Sequence, residues 1–302
     1  MKRTAERIAS TSQADEARST CGGLVAGLLA IDAIAHAGPP HRGDIIFESV
    51  IEEESTGNGI LAARQHGPAI DAALIPGVSG EDLQIANSGA VWFEVTLTGK
   101  PAYVGLAGVS VNAIDLAVDL IAHLGPVPQR LNAAFSQPAY EAQANPLAFN
   151  VGTICGCDRP SNVPSECVVG FRLAFPVEWT VGQARAVVSE AVAEFAARHP
   201  SLTEQPPAIR RHGFQAHGFA IDPDASLVAL LRSAVAQVSG EPARVSAVFG
   251  TADARYFADQ GIPAVSYGPV GGGMHSPDGW VSPAGVRRVA RALARTALAW
   301  TA

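Results

Sequence analysis

The chain is predicted to be an α/β protein: a mostly parallel sheet covered by helices, interrupted by an inserted domain of ferredoxin-like β-α-β-β-α-β order. Three observations carry this expectation. Residues 23–75 alternate helical and strand-like apolar patterns, a self-contained run of half-exposed strands and amphipathic helices occupies residues 90–215, and the α/β alternation resumes beyond it. The α/β domain therefore comprises residues 1–89 and 216–302, and the inserted domain residues 90–215.

The elements follow in order. Apolar spacing over 23–37 fits a buried helix stopped by Gly38, Pro39 and Pro40. Residues 44–51 (DIIFESVI) read as a strand that delivers Glu52, Glu53 and Glu54 into a loop; 58–65 is a short helix and 69–75 a second buried strand. In the insert, 91–97 alternates as a half-exposed strand, 110–124 is an amphipathic helix, 149–154 and 167–175 are strands, 181–198 is a helix and 208–214 a last strand. Residues 125–146, with little periodicity, read as an irregular loop. A helix at 225–238, a strand at 245–249, a helix at 252–260, a strand at 264–267, a glycine-rich loop and a helix at 283–300 complete the chain.

Composition narrows the function. With 302 residues, 48% of them hydrophobic, the chain can bury a sizeable core. Lys+Arg 21 against Asp+Glu 28 gives a net charge of -7, which argues against nucleic acid and anionic membranes as partners because neutralising phosphates needs clustered cations. The longest apolar run is too short to span a bilayer. The first seventeen residues lack an apolar h-region, so a cytoplasmic location is expected. Four cysteines, none in a CxxC pair, are expected to be reduced and mostly buried.

Two segments carry candidate chemistry. In IEEESTGNG, three consecutive carboxylates follow an apolar strand and repel one another unless solvated, protonated or neutralised by a cation, so a solvated loop end and a ligand site both stay open. In GPVGGGMHSPDGW, a glycine-rich loop presents His275; the glycines fit neither GxxxxGK[ST] nor GxGxxG, and no GxSxG elbow supports a serine hydrolase.

Taken in order, CGGLVAGLLAIDAI, IEEESTGNG, DAALIPGVSG, GKPAYVG, GVSVNAI, GTICGCDRPSNVP, GFRLAFP, TADARYF and GPVGGGMHSPDGWV resemble the zinc-dependent family of aminoacylases, acetylornithine and succinyl-diaminopimelate deacylases and carboxypeptidase G. The resemblance implies a di-zinc catalytic domain interrupted by a lid that also dimerises, and hydrolysis of an amide next to a carboxylate. It makes Glu53 the general base, Glu54 and His275 metal ligands, and Arg172 the lid arginine that grips a substrate carboxylate. Tyr103, Asn162 and Asp253 join Arg172 as substrate-binding residues.

Departures from the family pattern point away from an ordinary di-zinc centre. The bridging aspartate falls at Ser19, a further acidic ligand at Gly77, the lid histidine at Tyr103 and the acid after HSPD at Gly279; the His-x-Asp motif of a longer N-terminal portion has no counterpart, the first histidine being His36. Because zinc sites need at least three protein ligands as a rule, the expected cofactor is none, or one weakly bound zinc at Glu54 and His275, with Cys21 as a candidate third ligand. The expected function is a divergent amidohydrolase or deacylase acting on a small carboxylate-bearing, N-acyl amino-acid-like substrate, homodimeric through its lid. A catalytically silent homologue that binds a ligand or dimerises, and a truncated gene product, are the alternatives.

Overall fold

The computed structural model describes residues 21–53, 56–77, 79–156, 159–211, 213–248, 250–274 and 276–302. Along the chain the elements are α1 (Gly22–Ala37), α2 (Asn58–His66), β1 (Ala73–Ile75), β2 (Leu83–Asn87), β3 (Gly89–Thr98), β4 (Ala102–Tyr103), α3 (Ala113–Leu124), α4 (Pro126–Ala134), β5 (Phe149–Cys155), β6 (Asn162–Val163), β7 (Glu166–Phe175) and α5 (Val181–Ala197). Then come β8 (Ala208–Arg210), β9 (Gln215–Ala216), β10 (Phe219–Ala220), α6 (Ser226–Ser239), β11 (Val245–Ala247), α7 (Arg255–Ala258), β12 (Ala264–Ser266), β13 (Gly271–Gly272), β14 (Trp280–Val281) and α8 (Pro283–Trp300). They form two compact units: one holds the chain up to Asn87, Ala220–Val248 and Ala252–Ala302, the other Ser88–Phe219 with the short stretch before Ala252.

In the first unit the sheet is mixed rather than mostly parallel. β1 runs parallel to β12 and β11 parallel to β2, but β12 meets β2 antiparallel at Ser266 and Gln84. Short buried runs such as Leu83–Asn87 are apolar on both faces whichever way they run, so strand direction leaves no mark in the pattern. β2 is buried throughout and was not singled out by periodicity. The helix α8 starts at a Ser282 cap, whose hydroxyl accepts from Gly285 N–H, with Pro283 in its first turn; α1 and α6 pack on it. Its buried face, Val286, Val289, Ala290, Leu293 and Thr296, recurs at the helical period.

Residues 44–50 are extended but form no strand. A strand needs a partner's ladder, and among the described residues none pairs with this segment; Ile46 and Ile51 stay exposed. It is anchored instead by Glu48, which accepts from Arg64 Nη2 through both carboxylate oxygens, 2.6 Å each, while Arg64 lies 5.1 Å from the Phe257 ring centroid.

The second unit carries an antiparallel sheet in the order β5-β7-β3-β8, with β9 also on β3. Alternation along β3 and β7 sends Val91, Phe93, Val95, Val169, Phe171 and Leu173 into one core with α3 and α5. Asn112 caps α3, and Thr180 with Gln183 forms a capping box on α5. Two expectations change here. The 125–146 stretch holds the helix α4, started by Pro126, because proline at a first helical position costs no hydrogen bond. Of the expected strand at 208–214 only Ala208–Arg210 is strand, β8; β9 follows beyond the range at Gln215–Ala216, past Gly213 at φ 71°. No described helix is long and apolar enough to cross a membrane.

Candidate functional site

The acidic run ends in a tight turn. Glu52 sits at φ 65°, and its carbonyl accepts from the N–H groups of Thr56 (3.1 Å) and Gly57 (2.8 Å). Thr56 Oγ1 donates to the Glu52 carboxylate and accepts from Asn58 N–H at the start of α2. Glu52 and Glu53 are exposed, as a solvated carboxylate pair should be. Glu54, the candidate metal ligand beside them, lies outside the described residues, as does His275.

Behind this turn stands a buried group that sequence reasoning only half identified. Arg255 Nη2 (3.2 Å) and the Tyr256 hydroxyl (2.9 Å) both donate to Thr56 O, and Arg255 Nη1 donates to Ala252 O (2.9 Å). Arg255 is only 4% exposed and its guanidinium lies 4.4 Å from the Tyr256 ring centroid. Gly57 makes the approach possible: a Cβ there would stand 2.6 Å from Arg255 Nη2, 2.7 Å from a Tyr256 ring carbon and 2.8 Å from Asp253 Oδ1, and its φ of 72° already disfavours a side chain. Asp253 is 5% exposed, with Oδ1 3.8 Å from Arg255 Nη1 and no hydrogen bond to that oxygen among the described residues. Burial pushes its carboxyl up to about 6, against the opposing pull of Arg255. The run TADARYF contained this brace, but nothing in its spacing distinguishes Arg255 and Tyr256 from ordinary helix residues.

In the second unit, Tyr103 and Asn162 come together as cross-strand partners of the β4–β6 pair. Tyr103 is 68% exposed, so its hydroxyl is free to meet a solute. Arg172 lies on β7 between Asn150 of β5 and Trp92 of β3, on the face opposite the core. It is half-buried, desolvation lowers its pKa, and among the described residues it makes no hydrogen bond or ion pair. Of the cysteines, Cys167 is buried as expected, whereas Cys21, at the start of α1, and Cys155 are exposed. The rule that free cysteines are buried fails for these two because one precedes a helix and the other ends the outer strand β5. Among the described residues, no three His, Cys, Asp or Glu side chains are close enough to hold a metal ion.

Residues 17–299 match peptidase family M20/M25/M40. The chain belongs to this peptidase family. Among curated relatives of the family, it is 24% identical to the N-formyl-4-amino-5-aminomethyl-2-methylpyrimidine deformylase of Halalkalibacterium halodurans, over 82% of this chain and 62% of that protein. It is 25% identical to the succinyl-diaminopimelate desuccinylase of Leptothrix cholodnii, over 84% of this chain and 65% of that protein. The chain thus spans a little under two thirds of the length of these relatives. Its fold matches a Staphylococcus aureus tripeptidase (TM-score 0.71, 18% identity, 92% of this chain and 69% of that one) and human carnosine dipeptidase 1 (TM-score 0.71, 15% identity, 94% and 72%).

Proposed function

We propose that this member of the peptidase family binds a small, carboxylate-bearing N-acyl amino-acid-like molecule and acts on its amide. One observation supports the reading: Arg172 is a desolvated guanidinium with no hydrogen-bond or ion-pair partner among the described residues. A cation withdrawn from water and left unpaired is costly, and an incoming carboxylate offsets that cost through a two-point hydrogen-bonded pair. Its neighbours Asn150 and Trp92 supply an amide and an apolar ring on the same face. Tyr103 and Asn162 complete the substrate contacts, Glu53 serves as the acid–base group, and Asp253 belongs to the site from beneath the acidic turn.

In this proposal residues 90–215 are a ferredoxin-like lid through which the protein forms a homodimer, and residues 1–89 and 216–302 form the catalytic-type domain. The compact unit beginning at Ser88 and ending at Phe219 supports the division. The chemistry is shifted from di-zinc hydrolysis, with at most one weakly held zinc at Glu54 and His275, Cys21 being the candidate third ligand. Support comes from positions inside the chain: where the family resemblance calls for an acidic ligand stands Gly77, which offers no side chain. Zinc, where held, supplies Lewis acidity.

Titration with N-acetyl amino acids tests the reading. Arg172→Lys is expected to weaken binding about tenfold or more, since a point charge replaces a planar fork. Glu53→Gln is expected to leave binding intact and remove turnover. Unchanged affinity in Arg172→Lys would overturn the assignment; binding without turnover in the unaltered protein would replace it with the silent-homologue reading. Elemental analysis after dialysis is expected to find no more than one zinc per chain, and two stoichiometric ions would refute the metal proposal.

A further inference from the structure

The free side of β3 carries a second feature. β7 pairs with β3 along its whole length, but on the other side β8 covers only Glu94–Thr96 and β9 only Ala90–Val91. Between the two pieces Gly213 adopts φ 71°, and Phe214 O accepts from Trp92 N–H at 2.9 Å. The gap opens a notch of about 100 Å³ between the strand edge and α5, with Phe93, Val188 and Ile209 in its walls. Trp92, 42% exposed, and Phe214 add tilted rings with centroids 5.9 Å apart. Arg172 is not among the lining residues.

Two guanidiniums line the same notch, Arg185 from α5 and Arg211 from the stretch between β8 and β9. Among the described residues each meets only a neutral partner: Arg185 donates to Gln215 Oε1, and Arg211 to Ser189 Oγ at 3.4 Å. The adjacent Arg210 shows the contrast, being paired with the Glu94 carboxylate. In a chain of net charge -7, two cations without carboxylates around one apolar recess form a locally positive spot with most of their donors unused.

We propose that this notch binds a small organic carboxylate, its apolar body against Trp92 and Phe214 and its carboxylate held by Arg185 and Arg211. The notch is smaller than the roughly 150 Å³ cavity that accommodates benzene, so it takes an aromatic body only in part and leaves the rest toward solvent. A bare anion gains nothing from the rings, and a neutral aromatic gains nothing from the guanidiniums; only a molecule with both parts uses the whole site.

Isothermal titration of the full chain with benzoate tests this, with benzamide and inorganic phosphate as the uncharged and body-less probes. In the Arg172→Lys chain, where the carboxylate clamp of the proposed substrate site is weakened, benzoate is expected to bind one per chain, and more tightly than either control. Adding Arg185→Gln or Arg211→Gln to that chain is expected to weaken it by about tenfold or more. Both arginines sit at the surface, and circular dichroism checks that the variants fold. No benzoate binding to the Arg172→Lys chain up to the solubility of benzoate, binding to that chain equal with and without the glutamine substitutions, or phosphate binding more tightly than benzoate would each overturn the proposal.

Discussion

Replacing Gly268 with alanine is expected to cost the sheet-bearing unit about 4 kcal/mol or more, or to prevent its folding altogether. A Cβ at this position would stand 1.4 Å from Gly77 O and 2.6 Å from Gly77 C, both backbone atoms that no rotamer change can move. The site cannot relax on its own side either. Gly268 N–H donates to Ser79 Oγ at 2.6 Å, while its carbonyl accepts from Ser79 Oγ (3.1 Å) and Glu81 N–H (2.8 Å). Gly23 of α1 presses on the neighbouring residue, its own Cβ position 1.4 Å from Pro76 O. Interiors are close-packed, so such an overlap is resolved only by moving β1, β12 or α1. Soluble yield and denaturant midpoints measure the effect. Gly108→Ala, where an added Cβ meets nothing within 4 Å, is the control and should change stability by less than about 0.5 kcal/mol.

That close packing also explains what could be read from the sequence. The glycines in CGGLVAGLL and GPVGGG were visible, but as flexible loop and helix residues; their use as backbone-to-backbone contacts depends on which turn lies against them. Helices α1, α5, α6 and α8 were readable because helical hydrogen bonds are local and the buried stripe repeats every 3.6 residues. β3 and β7 were readable for a similar reason, each having one buried face and one more open one, and the outer strand β5 carries only half-buried Phe149 and Val151 on its inner side. Where strand identity depends on a neighbour, reading failed: DIIFESVI has a strand's composition without a partner among the described residues, and β2 is too short and too uniformly buried to show a period. The candidate site divides in the same way. Charged residues such as Glu53 and Arg172 stand out as types at positions in a motif. The lack of a partner for Arg172 among the described residues and the convergence of Arg255 and Tyr256 on Thr56 O are properties of the folded chain alone.

Asp253 leads to the remaining expectation, a stability that falls as pH rises from about 4 to about 6 and then levels off. Its carboxyl is raised from the ordinary 3.8 to about 6 by burial, so between these values the folded chain keeps a proton that the unfolded chain has released. Stability falls with pH wherever the folded state binds more protons, and a shift of about two units corresponds to roughly 3 kcal/mol of cost, complete above pH 6 and absent below pH 4. Arg255 does not reverse the sign, because its Nη1 stands 3.8 Å from Oδ1, outside hydrogen-bonding distance, and donates to Ala252 O instead. Asp253→Asn keeps the shape and removes the charge. It is therefore expected to match the unaltered protein near pH 4 and to exceed it by about 3 kcal/mol at pH 7, measured by denaturant unfolding across that range. If the variant is instead the less stable of the two at pH 7, the carboxylate is ionised and stabilised by Arg255, and the brace behind the acidic turn is an ion pair rather than a desolvated acid.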